Sequence, residues 1–220
     1  MGKTAIILGA SGLVGNEVLK ELLQDMDFVK IKIFVRKRIN IENPKLEQNI
    51  IDFNVIGNYH NLIKADVLFC CIGTTIKKAG SKEAFIKVDY TYPLEFAKIA
   101  KQNGIEKFLL ISSIGADKTA SNFYLKVKGD IEDALEKLKF ESLIILRPSM
   151  LLGQRKEFRF GEFIGKVVMK LFSFAFIGKL KKYKAIDAAI VAKAMVRVSK
   201  LELKGLNVFL SDVLQKIGSN

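Results

Sequence analysis

Short apolar runs alternate along this chain with stretches in which apolar residues recur every three or four positions. Thr4-Ala5-Ile6-Ile7-Leu8 runs into Gly9-Ala10-Ser11-Gly12-Leu13-Val14-Gly15. From Asn16 to Asp25, Val18, Leu19, Leu22 and Leu23 then fall at helical spacing. That pattern predicts a strand, a tight turn and a helix. The alternation continues. Ile31–Val35 reads as a second strand and Asn49–Phe53 as a third, with Pro44 in the loop before it. Asp66–Gly73 is continuously apolar from Val67, as a central parallel strand buried on both faces requires. Ser81 to Asn103 reads as mostly helical, with Pro93 in the first turn of its longer part and Gly104 as its stop. Lys107–Ser113 is a fifth strand. A helix from Asn122 to Leu138 follows, with Ser121 as its cap, and Leu143–Leu146 is a sixth strand. An Asp187-capped helix runs to Ser199. Asn207–Leu210 suits a seventh strand, and Ser211 caps a short last helix. Strands alternating with helices predict an α/β fold.

At 220 residues, half of them hydrophobic, the chain reads as a single domain, residues 1–220, with a substantial core. No uninterrupted apolar run is long enough to span a bilayer. The most apolar long window, Phe163 to Leu180, carries Lys166, Lys170 and Lys179. No signal peptide is expected from the few apolar residues after Lys3. The two cysteines, Cys70 and Cys71, are adjacent on an apolar strand, which fits a reducing compartment, and a cytoplasmic protein is expected. No metal site is expected. His60 is the single histidine, which argues against a zinc centre or a histidine-based triad. The net charge of +13 favours anionic partners, although scattered lysines also fit a coding bias. Nucleic-acid binding has no recognition motif to support it.

The glycine turn carries the first chemistry. Gly9 lets the strand turn sharply, Gly12 lacks a Cβ and admits a pyrophosphate close to the backbone, and Gly15 lets the helix lie near the sheet. The helix N-terminus then offers N–H groups and a positive dipole end to phosphates. The second strand ends in Arg36-Lys37-Arg38, where a dinucleotide fold places the adenosine ribose. An acidic residue there would take the 2′-hydroxyl of NAD; arginine accommodates a 2′-phosphate, so the expected cofactor is NADP(H). Asp52 falls near the expected adenine site and reads either as an acceptor for the adenine amine or as a strand-end cap. Gly73 would let the backbone pass the cofactor closely; Cys71, beside it, reads better as a core thiol. Ser112 and Ser113 end the fifth strand at the carboxyl edge, where open α/β sheets hold ligands. Tyr124 and Lys128, four apart, share one helical face. An ammonium beside a phenol favours the phenolate. Lys128 could thus tune Tyr124 and also hold the nicotinamide ribose. Tyr124 would exchange a proton with a carbonyl oxygen held by Ser113.

With these residues in place the chain resembles the short-chain dehydrogenase/reductase superfamily in its atypical NAD(P)H-binding branch, most closely the Tat-interacting protein family of oxidoreductase-like proteins. The resemblance rests on residues 9–15, Cys70-Cys71-Ile72-Gly73-Thr74-Thr75, Lys78-Ala79-Gly80, residues 112–118, residues 121–129 and Arg147-Pro148 followed by Leu151-Leu152. It implies a Rossmann-type doubly wound, mostly parallel sheet of order 3-2-1-4-5-6-7. It implies that Gly9, Ser11, Gly12, Leu13, Val14 and Gly15 bind the pyrophosphate, that Arg36 and Lys37 hold the 2′-phosphate, and that Cys71, Ile72 and Gly73 line the ribose and nicotinamide side. Ser113, Tyr124 and Lys128 match the superfamily's catalytic set. Two departures, Cys71-Ile72-Gly73 in place of Asn-Ala-Gly and a short loop from Ser113 to Tyr124, are shared by the resembled branch.

The segment 149–184 is expected to form a small lid on the substrate side. Its Phe158, Phe160, Phe163, Phe172, Phe174 and Phe176 read alternatively as core, and its Lys166, Lys170, Lys179, Lys181, Lys182 and Lys184 as contacts to acidic headgroups. Three functions stay open: a reductase of a small-molecule carbonyl, an NADPH sensor that acts on a protein partner, and a nucleotide-sugar epimerase or dehydratase.

Overall fold

In the computed structural model, residues 2–153 and 182–219 are described. The chain runs β1 (Lys3–Leu8), α1 (Leu13–Gln24), β2 (Phe28–Val35), β3 (Leu46–Ile50), a 3-10 segment (Phe53–Leu62) and β4 (Val67–Cys70). Then come α2 (Ile76–Ala79), α3 (Lys82–Ile86), a π-helical turn (Lys87–Thr91), α4 (Tyr92–Gln102), β5 (Lys107–Ile111), α5 (Phe123–Lys137) and β6 (Ser142–Arg147). The described chain closes with β7 (Leu151–Leu152), β8 (Ile186–Asp187), α6 (Ala188–Ser199), β9 (Gly205–Leu210) and α7 (Ser211–Ser219).

The main sheet has the order β3-β2-β1-β4-β5-β6-β9, with every neighbouring pair parallel. This is the expected Rossmann order, with β9 as its seventh strand. Parallel strands need crossovers, and here the crossovers cover both faces. On one face α1 and α6 pack over Ala5, Ile7, Ile33 and Phe69. On the other, the 3-10 segment, α4 and α5 pack over Ile6, Leu8, Leu68 and Leu110. The alternation of successive strand residues between these two cores explains why β1 and β4 read as unbroken apolar runs. It also separates the two cysteines: Cys70 joins the second core, and Cys71 turns to the first, where its Sγ lies 3.8 Å from Met195 Sδ.

Several boundaries differ from the sequence-based expectation. Asn122, not Ser121, caps α5, its side chain accepting from the Leu125 N–H. β3 spans Leu46–Ile50, earlier than expected, which leaves Asp52 beyond its end. The stretch from Ser81 is helical as expected, with Pro93 in the first turn of its longer part; it is two helices joined by a π turn, in which the Tyr92 N–H bonds the Lys87 carbonyl. Asp187 caps α6 as expected. Among the described residues no helix is long and apolar enough to cross a membrane. Most of the expected lid, with all six of its named phenylalanines and Lys166, Lys170, Lys179 and Lys181, lies outside the described residues.

Candidate active site

The turn after β1 is built by two steric necessities. Gly9 has φ +81°, and a Cβ on it would sit 2.7 Å from the Cys71 carbonyl carbon. A Cβ on Gly15 would sit 2.1 Å from the Gly9 carbonyl oxygen, so α1 can start this close to the sheet only without one. The Gly12 N–H donates to the Gly9 carbonyl at 2.8 Å, and the Gly12 carbonyl accepts from the Asn16 N–H at 2.9 Å. Gly12 brings no side-chain acceptor to the first turn of α1, and no carboxylate lies in that turn. The N-terminus thus keeps donor groups for an anion. Val14 is buried in the core and Leu13 packs against it, so these two can serve a phosphate through their backbone only.

This turn forms the floor of a cleft of about 840 Å³, within the size range of small-molecule sites. Gly9, Ser11 and Gly12 line it, and so do Cys71, Ile72 and Gly73. Arg36 lines it from the end of β2; Lys37 is exposed and is not among the lining residues. Lys77, Lys78 and Lys87, which the sequence did not single out for binding, add positive charge from α2 and the π turn, and among the described residues no carboxylate lines the cleft. Asp52 is placed elsewhere: its Oδ1 accepts from the Asn54 N–H at 2.8 Å and caps the 3-10 segment. Of the two readings of Asp52, this is the strand-end cap, and Asp52 is not among the residues that line the cleft. Its neighbour Phe53 lines the cleft instead and packs its ring 5.3 Å from that of Tyr92. The donor-rich helix start and the cationic walls fit an anionic dinucleotide.

A second, smaller cavity of about 30 Å³ adjoins the first, and Cys71 and Ile72 line both. Ser113, Tyr124 and Lys128 line it together, from the end of β5 and from α5. Ser113 is buried, its Oγ donating to the Ile114 carbonyl at 3.3 Å. Tyr124 is half-buried, with its ring against Phe85. Gly129 sets how closely α5 docks: a Cβ there would lie 2.1 Å from the Lys118 amide nitrogen. Below the cavity, Glu132 accepts from Ser112 Oγ and Arg147 Nε, tying α5 to the ends of β5 and β6. Burial pushes the Cys70 thiol up to about 12.

Lys128 is almost fully buried, and its Nζ lies 2.8 Å from Asp89 Oδ1. The approach is an ion pair without a well-aligned hydrogen bond at Oδ1. Asp89 is 2% exposed, and its Oδ2 accepts from the Thr74 N–H at 2.7 Å. Reading the sequence missed Asp89. A signal was present: Phe85, Asp89 and Phe96 are spaced to share a helical face, and an acid on an apolar face must have a partner.

A family of NAD(P)H-binding proteins matches residues 9–164, from the glycine turn past β7. The chain belongs to this family. This NAD(P)H-binding protein is 41% identical over 168 residues to protein HTATIP2 of Rattus norvegicus, a match covering 74% of this chain and 69% of that one. It is 33% identical over 223 residues to the mitochondrial protein FMP52 of Candida albicans, covering 99% and 95% of the two chains. In fold it is similar to the UDP-glucuronic acid 4-epimerase of Bacillus cereus in complex with NAD. That likeness has a TM-score of 0.66 at 12% identity and covers 94% of this chain and 77% of that one. The chain is thus an NAD(P)-binding Rossmann protein of oxidoreductase-like fold. The expectation of a cytoplasmic protein is overturned, since the Candida albicans relative, matched along nearly the whole chain, is named a mitochondrial protein. The cysteine argument fails because two thiols speak only against an oxidising compartment and do not distinguish among reducing ones.

Proposed function

We propose that this protein is an NADP(H)-dependent oxidoreductase that reduces a carbonyl of a small molecule. One observation carries the proposal: Ser113, Tyr124 and Lys128 line a single cavity that adjoins the cationic cleft at Cys71 and Ile72. When bound, the nicotinamide supplies the hydride. Tyr124 gives its phenolic proton to the substrate oxygen as the carbonyl carbon is reduced, and takes it back in reverse. Ser113 Oγ swings from the Ile114 carbonyl to donate to the same oxygen. An ammonium has three donors. Asp89 holds that of Lys128 from one side, and in this reading Lys128 donates to the ribose hydroxyls. The backbone N–H groups of Leu13, Val14 and Gly15 hold the pyrophosphate, Gly12 letting it come close, and Arg36 grips the 2′-phosphate with paired donors.

The test is NADPH oxidation across aldehydes, ketones and quinones, with Tyr124→Phe alongside. Turnover is expected to fall about a hundredfold or more in the variant, the range of general acid catalysis, with NADPH still bound. Tight NADPH binding without turnover of any carbonyl overturns the reductase and favours an NADPH sensor acting on a protein partner. Arg36→Ala is expected to weaken NADPH about tenfold or more and NADH little, as loss of a charge-assisted pair implies. A second reading, internal redox on a nucleotide sugar, draws support from the fold likeness to sugar-nucleotide enzymes. It predicts conversion of a UDP-sugar without net NADPH consumption, read by chromatography of the sugar nucleotide.

A further inference from the structure

We infer that Asp89 is a positioning residue that couples Lys128 to the Thr74 stretch of the cofactor cleft. The inference rests on the proposed use of Lys128. A carboxylate and an ammonium this deeply buried gain little stability over apolar side chains of similar size, because both are taken from water. What the pair supplies is geometry. Asp89 stands on the π turn, at the seam between α3 and α4, and its two oxygens are committed to different elements. Oδ1 meets Lys128 Nζ, which lines the small cavity; Oδ2 accepts from the Thr74 N–H, and Thr74 lines the large cleft. One rigid side chain therefore fixes a group of the proton-transfer cavity relative to the backbone of the dinucleotide cleft. Single turns of π-helix recur at functional positions because the extra residue re-aims a side chain. Here the widened turn carries the side chain that bridges the two cavities.

The test is a double-mutant cycle on NADPH affinity, read by nucleotide fluorescence in the full chain, with Asp89→Asn, Lys128→Met and the double variant. Asp89→Asn keeps the shape and an acceptor for Thr74. With Lys128 present it is expected to weaken NADPH about tenfold, the scale of one charge-assisted contact, and with Met at that position by less than about twofold. Equal losses in both backgrounds overturn the coupling. Thermal midpoints read alongside should move in opposite directions. Asp89→Asn lowers the midpoint when Lys128 is present and raises it in Lys128→Met, where Asp89 would otherwise be a lone buried charge. With a reducible carbonyl, Asp89→Asn is expected to lower kcat while the KM for the carbonyl stays constant; a change confined to KM counts against the role. Should Asp89→Asn not fold, Asp89→Glu keeps a carboxylate for both partners. Weakened NADPH binding that depends on Lys128 then supports the coupling, and binding independent of Lys128 overturns it. If the unaltered protein reduces no carbonyl, the catalytic reading falls while the affinity cycle still decides the role of Asp89.

Discussion

Glycine positions differ sharply in what they tolerate. Gly15→Ala drives a methyl into the Gly9 carbonyl, so α1 must move off the sheet. The expected result is a loss of about 1–3 kcal/mol in urea unfolding, the scale of overpacking, together with loss of NADPH binding. Gly57→Ala is the control: a Cβ there meets nothing within 4 Å, and stability should hold or rise by up to about 1 kcal/mol. The two cysteines give a second contrast. Cys70, with its thiol held protonated near 12, is expected to resist thiol-labelling reagents at pH about 8 until the protein unfolds; labelling of native Cys70 at the rate of a model thiol would contradict its burial. The glycine turn and the shared cavity of Ser113, Tyr124 and Lys128 were legible because the residues lie near one another in the chain, at spacings that a turn and a helix face fix. Asp89 and Lys128 are far apart in sequence, and only the packing of the π turn against α5 shows that they meet.

At the level of elements, α5 is held by contacts of different kinds. Asn122 caps its start, Gly129 sets its distance from the preceding loop, and Asp133 pairs with both Lys118 and Lys137. Hydrogen bonds from Lys118 and then Lys137 hold the Asp133 carboxyl down to about 2, from an ordinary 3.8. The sign follows from linkage: a depressed folded pKa gives stability that is present above the ordinary value and lost as pH falls toward about 2. Asp133→Asn should therefore lower the urea midpoint at pH about 5 and change it less at pH about 2.5. Added salt should shrink the difference, because the pair is exposed. An unchanged difference at low pH would remove the assignment. Element boundaries were the weaker part of the sequence pattern. Ser121 and Asn122 are equally good caps by chemistry, and only the backbone chooses between them. Asp52 was ambiguous for the same reason: a carboxylate after a strand suits a ligand and a turn alike, and here its Oδ1 accepts from the Asn54 N–H.

For the molecule as a whole, the strand order places the donor-rich turn, Arg36 and the ends of β4 and β5 on one edge of the sheet. Alternation of strand and helix made the fold class readable, and the resemblance supplied the order of strands. Compartment was not readable, because nothing in the packing of a Rossmann domain records where it resides. A ligand that binds only the folded chain stabilises all of it. NADPH at about a hundred times its Kd should add about 2.7 kcal/mol, and each kcal/mol raises the melting temperature by about 2–4 °C at this size. A melting temperature indifferent to NADPH would count against the cleft as its site. The contact between α1 and α6 has a consequence for synthesis. α1 leaves the ribosome well before α6, yet Val14, Val18 and Leu22 share one core with Val191, Ala194 and Met195. From the synthesis of α1 to that of α6 the nascent chain carries an uncovered apolar helix face. A chaperone that shields such faces would be needed on α1 until α6 is made, and the arrival of α6 is the event that closes this core.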